Sequence, residues 1–117
     1  MVKLSVLGSG SRGNALVLSC EEGAVIVDMG FSRKELRCRM EKLGIDPSGI
    51  RAALLTHEHD DHSKGCRVFC NELSIPLCAA GPTAAYLKRK GKLPDRVLEF
   101  EPGQDFHIAG FEISPFA

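Results

Sequence analysis

Three of the chain's four histidines lie within six residues, in the run Thr56-His57-Glu58-His59-Asp60-Asp61-His62. Imidazole and carboxylate groups at this density are the donors that a borderline divalent ion such as Zn²⁺ prefers, and Mn²⁺ or Fe²⁺ accept the same set. In an extended segment, side chains at i and i+2 point the same way, so His57, His59 and Asp61 are expected to converge on one site. His62 is expected to begin turning away and to serve a neighbouring position. Four such groups suit a hydrolytic centre of two metals, where one ion makes water nucleophilic near neutral pH and the pair clamps the attacking and leaving oxygens. The pattern H-x-H-x-D-H arises by chance in about two of ten thousand chains of this composition, so a solvated loop of idle histidines is the weaker reading.

A second pattern competes for attention. Gly8-x-Gly10-x-x-Gly13, with Asp28 twenty residues after Gly8, has the outline of a dinucleotide-binding fingerprint. Glycine is frequent enough here that the pattern alone arises in about one such chain in eight. The context it needs is missing, because Asn14 to Ser19 is too short and too β-like for a crossover helix, and Glu21-Glu22-Gly23 ends it. The run reads instead as a polar hairpin loop with Ser9, Ser11 and Asn14 facing the histidine site, or as a glycine-rich turn with no ligand.

The elements that must position these residues follow from the apolar pattern. Val2 to Leu7, Ala15 to Leu18 and Ala24 to Val27 are apolar runs separated by turn signals, which predicts an N-terminal β-meander. Ser32-Arg33-Lys34-Glu35 is a capping box, predicting that the Ser32 hydroxyl and the Glu35 carboxylate satisfy the first free backbone donors of a helix over 33–43. Leu36, Met40 and Leu43 repeat at helical spacing, and Gly44 suits the residue just past the helix end. A buried strand is expected over 52–56, leading straight into the histidine run, then a short helix around 64–72. A strand over 75–79, a helix opened by Pro82 and running to Lys90, and strands over 97–100, 106–108 and 111–114 complete the chain. The class is α/β, with antiparallel strands first and β-α-β alternation after.

Composition narrows the setting. Hydrophobic residues at 44% and charged residues at 26% are ordinary globular values, and 117 residues suffice for one domain with a sizeable core. Fifteen cationic and fifteen acidic side chains leave no global basic field to attract nucleic acid. No run of eighteen apolar residues exists, so no membrane partner is expected, and the N-terminus lacks a signal-peptide pattern. Five cysteines without a C-x-x-C pair read as reduced thiols of a cytoplasmic protein. Cys66 and Cys70 share a helical face with His62, but core packing is favoured over a zinc site for them. Lys88, Arg89, Lys90 and Lys92, with Arg96 nearby, read as a solvated helix end favoured by the C-terminal dipole, with phosphate contact as the alternative. His107 reads as a surface or structural residue.

The run Thr56-His57-x-His59-x-Asp61-His62 behind an apolar strand resembles the metallo-β-lactamase superfamily. Ala24-Val25-Ile26-Val27-Asp28-Met29-Gly30 is similar to that fold's hydrophobic-Asp-x-Gly strand end. The opening Leu7-Gly8-Ser9-Gly10-Ser11-Arg12-Gly13-Asn14 resembles the loop of one branch, the bacterial YycJ/WalJ-type exonucleases.

The resemblance implies an αββα sandwich, with this chain as its N-terminal αβ half: one domain over 1–117, a mixed sheet with flanking helices, and the family's remaining ligands expected downstream. It implies two divalent metal ions, zinc foremost and manganese or iron as alternatives. His57 and His59 are then expected on the first metal, and Asp61 and His62 on the second. Asp61 is also expected to hold a bridging hydroxide that attacks phosphorus, with Asp28 orienting the histidine loop and Ser9, Ser11 and Asn14 contacting a substrate phosphate. The implied activity is phosphodiester hydrolysis with nucleic acid as substrate. A lactone, thioester or lactam hydrolase of the same fold is the first alternative, and a non-enzymatic binding or assembly module the second. Two protein ligands per metal are fewer than the usual three, so weak metal binding and little turnover are expected of the chain alone. Surfaces left bare by a missing half are expected to drive self-association.

Overall fold

The computed structural model describes residues 1–116. Strands β1 (Lys3–Gly8), β2 (Ala15–Cys20) and β3 (Gly23–Val27) form the expected antiparallel meander. Helix α1 (Arg33–Lys42) crosses to β4 (Ile50–Leu54), which pairs parallel to β3. The short helix α2 (Asp60–Ser63) and α3 (Cys66–Leu73) lead to β5 (Leu77–Ala80), and α4 (Gly81–Arg89) leads to β6 (Val97–Phe100), both strands adding in parallel. The six strands lie in chain order, and β7 (Phe106–Ile108) with β8 (Phe111–Ile113) forms a separate hairpin. Strand order equal to chain order places the β3 and β4 ends side by side, which is where Asp28 and Thr56 leave the sheet.

The two-residue alternation of each strand sorts its side chains onto two faces. Ala24 and Ile26 of β3 join Leu36, Met40, Phe69, Cys70 and Leu87 in the core beneath the helices. Val25 faces the opposite way, with Ala52, Leu54 and Cys78, and the hairpin packs there through Phe106, Ile108, Phe111 and Ile113. Cys66, Cys70 and Cys78 are fully buried, and removal from water pushes the thiols of Cys66 and Cys78 up to about 11 and that of Cys70 upward as well. All three are core residues, as the sequence favoured for Cys66 and Cys70.

Several boundaries differ from the expectations for physical reasons. At the start of α1 the Ser32 hydroxyl accepts from the Glu35 amide as predicted, but the Glu35 carboxylate turns to Arg39 at 3.2 Å instead of back to the helix start. Strand β4 ends at Leu54, two residues early, because the Thr56 amide donates to the Asp28 carboxylate rather than to a strand. The helix expected around 64–72 is α3, set off from the unexpected turn of α2 at Gly65, whose amide donates to the Met29 carbonyl at 2.8 Å. A Cβ at Gly65 would overlap the Phe31 carbonyl oxygen.

The segment from Asp28 to Phe31 therefore lies against two other backbones with no side chain between. At Gly30 a Cβ would overlap the carbonyl oxygen of Asp61, whereas nothing stands within 4 Å of one at Gly49. Gly30→Ala is expected to lower stability by about 3 kcal/mol or more, while Gly49→Ala stays within about 0.5 kcal/mol, as read from thermal or urea unfolding.

Candidate metal centre

The site is built outward from the end of β3. Asp28 takes a left-handed backbone conformation, φ 64°, and its amide donates to the Leu54 carbonyl at 2.8 Å. The turn drops its carboxylate, nearly buried, under the strand end of β4. One carboxylate oxygen accepts from the Thr56 amide at 2.8 Å, and the Thr56 hydroxyl lies 2.8 Å from the other. That second oxygen also lies 2.6 Å from Nδ1 of His62. Asp28 thereby bonds to both ends of the run, at Thr56 and at His62.

For neutral rings, this network fixes which imidazole nitrogen is free. A carboxylate can only accept, so Nδ1 of His62 carries a proton and Nε2 keeps its lone pair. The Thr56 hydroxyl gives its single proton to Asp28 and turns a lone pair toward Nδ1 of His57, 3.0 Å away. His57 is thereby also protonated on Nδ1 and free on Nε2. Metal-binding histidines generally have the other ring nitrogen held this way. Thr56 had no role assigned from sequence beyond its place in the motif; its signal was only its position directly before His57.

The geometry of the run corrects the extended-chain expectation. Alternation holds only for His57 and His59, whose rings meet edge to face at 4.7 Å between centroids. From Asp60 the chain is helical, because the His59 carbonyl accepts the amides of His62 and Ser63, both at 2.9 Å. Asp61 reaches the site from the first turn of α2. His62 does not turn away: its ring returns to 4.0 Å from that of His57, and its Nε2 lies 3.8 Å from an Asp61 carboxylate oxygen. The loop is pinned from below, since the buried Ser63 hydroxyl lies 2.8 Å from the Glu58 carbonyl, and Thr83 of α4 donates to the Glu58 carboxylate at 3.2 Å. Neither Ser63 nor Thr83 stood out in the sequence.

The glycine-rich turn has two components. Gly8 and Gly13 leave room for the Phe31 ring, which a Cβ at either would approach to 2.5 Å, and the Arg39 guanidinium lies 4.0 Å above the same ring. Packing against Phe31 thus accounts for two of its glycines. Asn14 faces the site, bonded to Asp61, while Ser9 and Ser11 are exposed on the turn. His107 lies elsewhere, on the exposed hairpin, 3.4 Å from Glu112 opposite it. Lys88 and Arg89 sit in the last turn of α4, and Arg89 and Lys90 lie beside Tyr86.

The donor set suits a divalent ion in kind: three imidazoles, two of them presenting Nε2, and the Asp61 carboxylate along one rim. Among the described residues no three His, Cys, Asp or Glu side chains close on one point at coordinating distance.

The buried Asp-x-Gly turn and the His-x-His-x-Asp-His loop thus face each other at the adjacent ends of β3 and β4. A profile of the Metallo-beta-lactamase superfamily matches residues 8–116, and the chain belongs to that superfamily, whose members generally bind divalent metals. It is 31% identical over 114 residues to Exodeoxyribonuclease YycJ of Bacillus anthracis, covering 96% of this chain and 43% of that protein. It is 35% identical over 77 residues to Exodeoxyribonuclease WalJ of Streptococcus pneumoniae, covering 66% of this chain and 29% of that one. A metallo-beta-lactamase of Cronobacter sakazakii shares the fold, with a TM-score of 0.75 at 21% identity over 92% of this chain and 48% of its own. The chain thus spans less than half the length of the curated relatives it matches.

The tautomers give the site its test. Long-range ¹H–¹⁵N correlation spectra above pH 8 are expected to show His57 and His62 protonated on Nδ1. Asp28→Asn is expected to shift both away from that form, and Thr56→Val His57 alone. An Nε2-protonated His57 in the unsubstituted chain would contradict the network.

Proposed function

We propose that this chain carries the histidine and aspartate ligands of a two-metal phosphodiesterase that acts on nucleic acid. The observation that carries the reading is the Asp28 network, which spends a buried carboxylate on presenting His57 and His62 through Nε2. The exodeoxyribonuclease names of the relatives favour phosphodiesters over lactones, thioesters or lactams. His57 and His59 would hold one metal, and Asp61 and His62 the second, with zinc the ion best matched to imidazole and carboxylate donors and manganese or iron able to replace it. Bound there, the ions would supply an acidified water and positive charge against the phosphate. The protein's part is to hold Nε2 and carboxylate donors in place at the rim, with the exposed Ser9 and Ser11 hydroxyls available to a phosphate oxygen. Reduced thiols in the cytoplasm are part of the same reading, and all five cysteines are free. Among the described residues no helix is long and apolar enough to cross a membrane.

With two protein ligands per metal, zinc binding by this chain is expected to be weaker than about 1 µM. An NMR titration should show it at His57, His59, Asp61 and His62, and a stoichiometric submicromolar complex would contradict that expectation. Any turnover at saturating zinc or manganese is expected on bis(4-nitrophenyl) phosphate or DNA and to vanish in Asp61→Asn. Preferential cleavage of a lactone or lactam would overturn the substrate class.

A second copy of the chain is the partner that the surface suits. Leu4 and Val6 of the edge strand β1 are 58% and 53% exposed, and the register places them beside Leu18 and Leu16 on the face opposite the helices. The strip has no charge, so two copies meet on it without repulsion. Sedimentation is expected to show concentration-dependent dimers that Leu4→Lys abolishes; a monomer at every concentration would refute the contact.

A further inference from the structure

We infer that Asn14 is a positioning residue that sets the carboxylate of Asp61, rather than a contact for substrate phosphate. The consequence for metal affinity rests on the reading of Asp61 as a ligand, whereas the positioning itself rests on the geometry alone.

An amide side chain has two donor hydrogens and one acceptor oxygen to spend. Here Oδ1 accepts from the Gly10 amide at 3.0 Å, and Nδ2 donates to the Gly10 carbonyl at 2.8 Å. The other hydrogen of Nδ2 faces Asp61, with the main-chain carbonyl at 3.2 Å and the carboxylate Oδ2 at 3.3 Å. Every donor is engaged, which leaves none for a phosphate. The backbone repeats the link: the Asn14 amide donates to the Asp61 carbonyl at 2.8 Å, and the Asn14 carbonyl accepts from Gly30 at 2.9 Å. Residues 47 apart in sequence are thus joined by side chain and main chain together.

The contact has a chemical effect. A carboxylate in the first turn of a short helix is free to rotate unless something selects one orientation, and ordering it later costs entropy. Asn14 selects the orientation that turns Oδ2 toward Nε2 of His62, 3.8 Å away. The two groups read as sharing a metal are therefore set side by side beforehand, from the glycine-rich turn. Alanine at 14 has no donor, and aspartate would put a second carboxylate where the amide donates.

Asn14→Asp and Asn14→Ala in the 117-residue chain test this. Asn14→Asp keeps an acceptor for the Gly10 amide, so the turn is retained even if Asn14→Ala loosens it. Crystal structures of the unsubstituted chain and both variants are expected to show the Asp61 carboxylate rotated away from His62 in the variants only. In NMR titrations with Zn²⁺, affinity read at Asp61 and His62 is expected to fall about 10–100-fold while His57 and His59 respond as before. An Asp61 carboxylate left in place in Asn14→Asp, with unchanged zinc affinity, would overturn the inference. So would unchanged zinc binding with a loss confined to the affinity for bis(4-nitrophenyl) phosphate, which marks a substrate contact. If the unsubstituted chain gives no zinc response at Asp61 or His62, the metal reading fails, and the Asp61 orientation in the crystal structures still decides the role of Asn14.

Discussion

One buried carboxylate organises the rim of this protein. Asp28 sits where β3 ends, and its two oxygens take the Thr56 amide, the Thr56 hydroxyl and Nδ1 of His62. A buried carboxylate is costly unless its lone pairs are satisfied, so those partners are constrained as tightly as Asp28 itself. Because Thr56 and His62 bracket the histidine run, satisfying Asp28 also fixes the run's ends. Folding energy and ligand geometry are thereby the same interaction.

The neighbouring backbone makes this possible. After Asp28, the Met29 amide donates to the His62 carbonyl at 2.7 Å, and Gly30 meets both Asn14 and Asp61. The glycine-rich turn, the end of β3 and the first turn of α2 therefore close on one another main chain to main chain. Phe31, just beyond, fills the hollow left by Gly8 and Gly13, with Arg39 stacked over it and bonded to the Leu7 carbonyl at 2.8 Å. A turn that resembles a phosphate cradle in sequence is built around an aromatic ring, and its asparagine is spent on the aspartate of the site.

The sheet supplies the frame. Strand order equal to chain order brings β3 and β4 together in parallel, so their C-terminal ends deliver Asp28 and the histidine loop to the same edge. Helices cover one face, and the β7–β8 hairpin covers the centre of the other around Val25, Ala52, Leu54 and Cys78. The apolar side chains of β1 lie beyond that cover.

Much of this was legible in the sequence because the governing forces are local. Two-residue alternation specified the strands and the Ser32 cap specified the start of α1, while the density of imidazole and carboxylate in residues 57–62 carries the metal chemistry proposed for the site. What only the tertiary structure decided depends on residues distant in the chain. Thr56 left β4 and became a hydrogen-bond relay because Asp28, 28 residues earlier, takes its amide. His62 folded back on His57 because the helix begun at Asp60 and the pull of Asp28 outweigh extended alternation. Gly8, Gly13 and Gly30 are explained by Phe31 and Asp61, contacts that local spacing cannot show. Residue type set which groups could bind a metal; the packing of three separate backbones set which of their atoms face the rim.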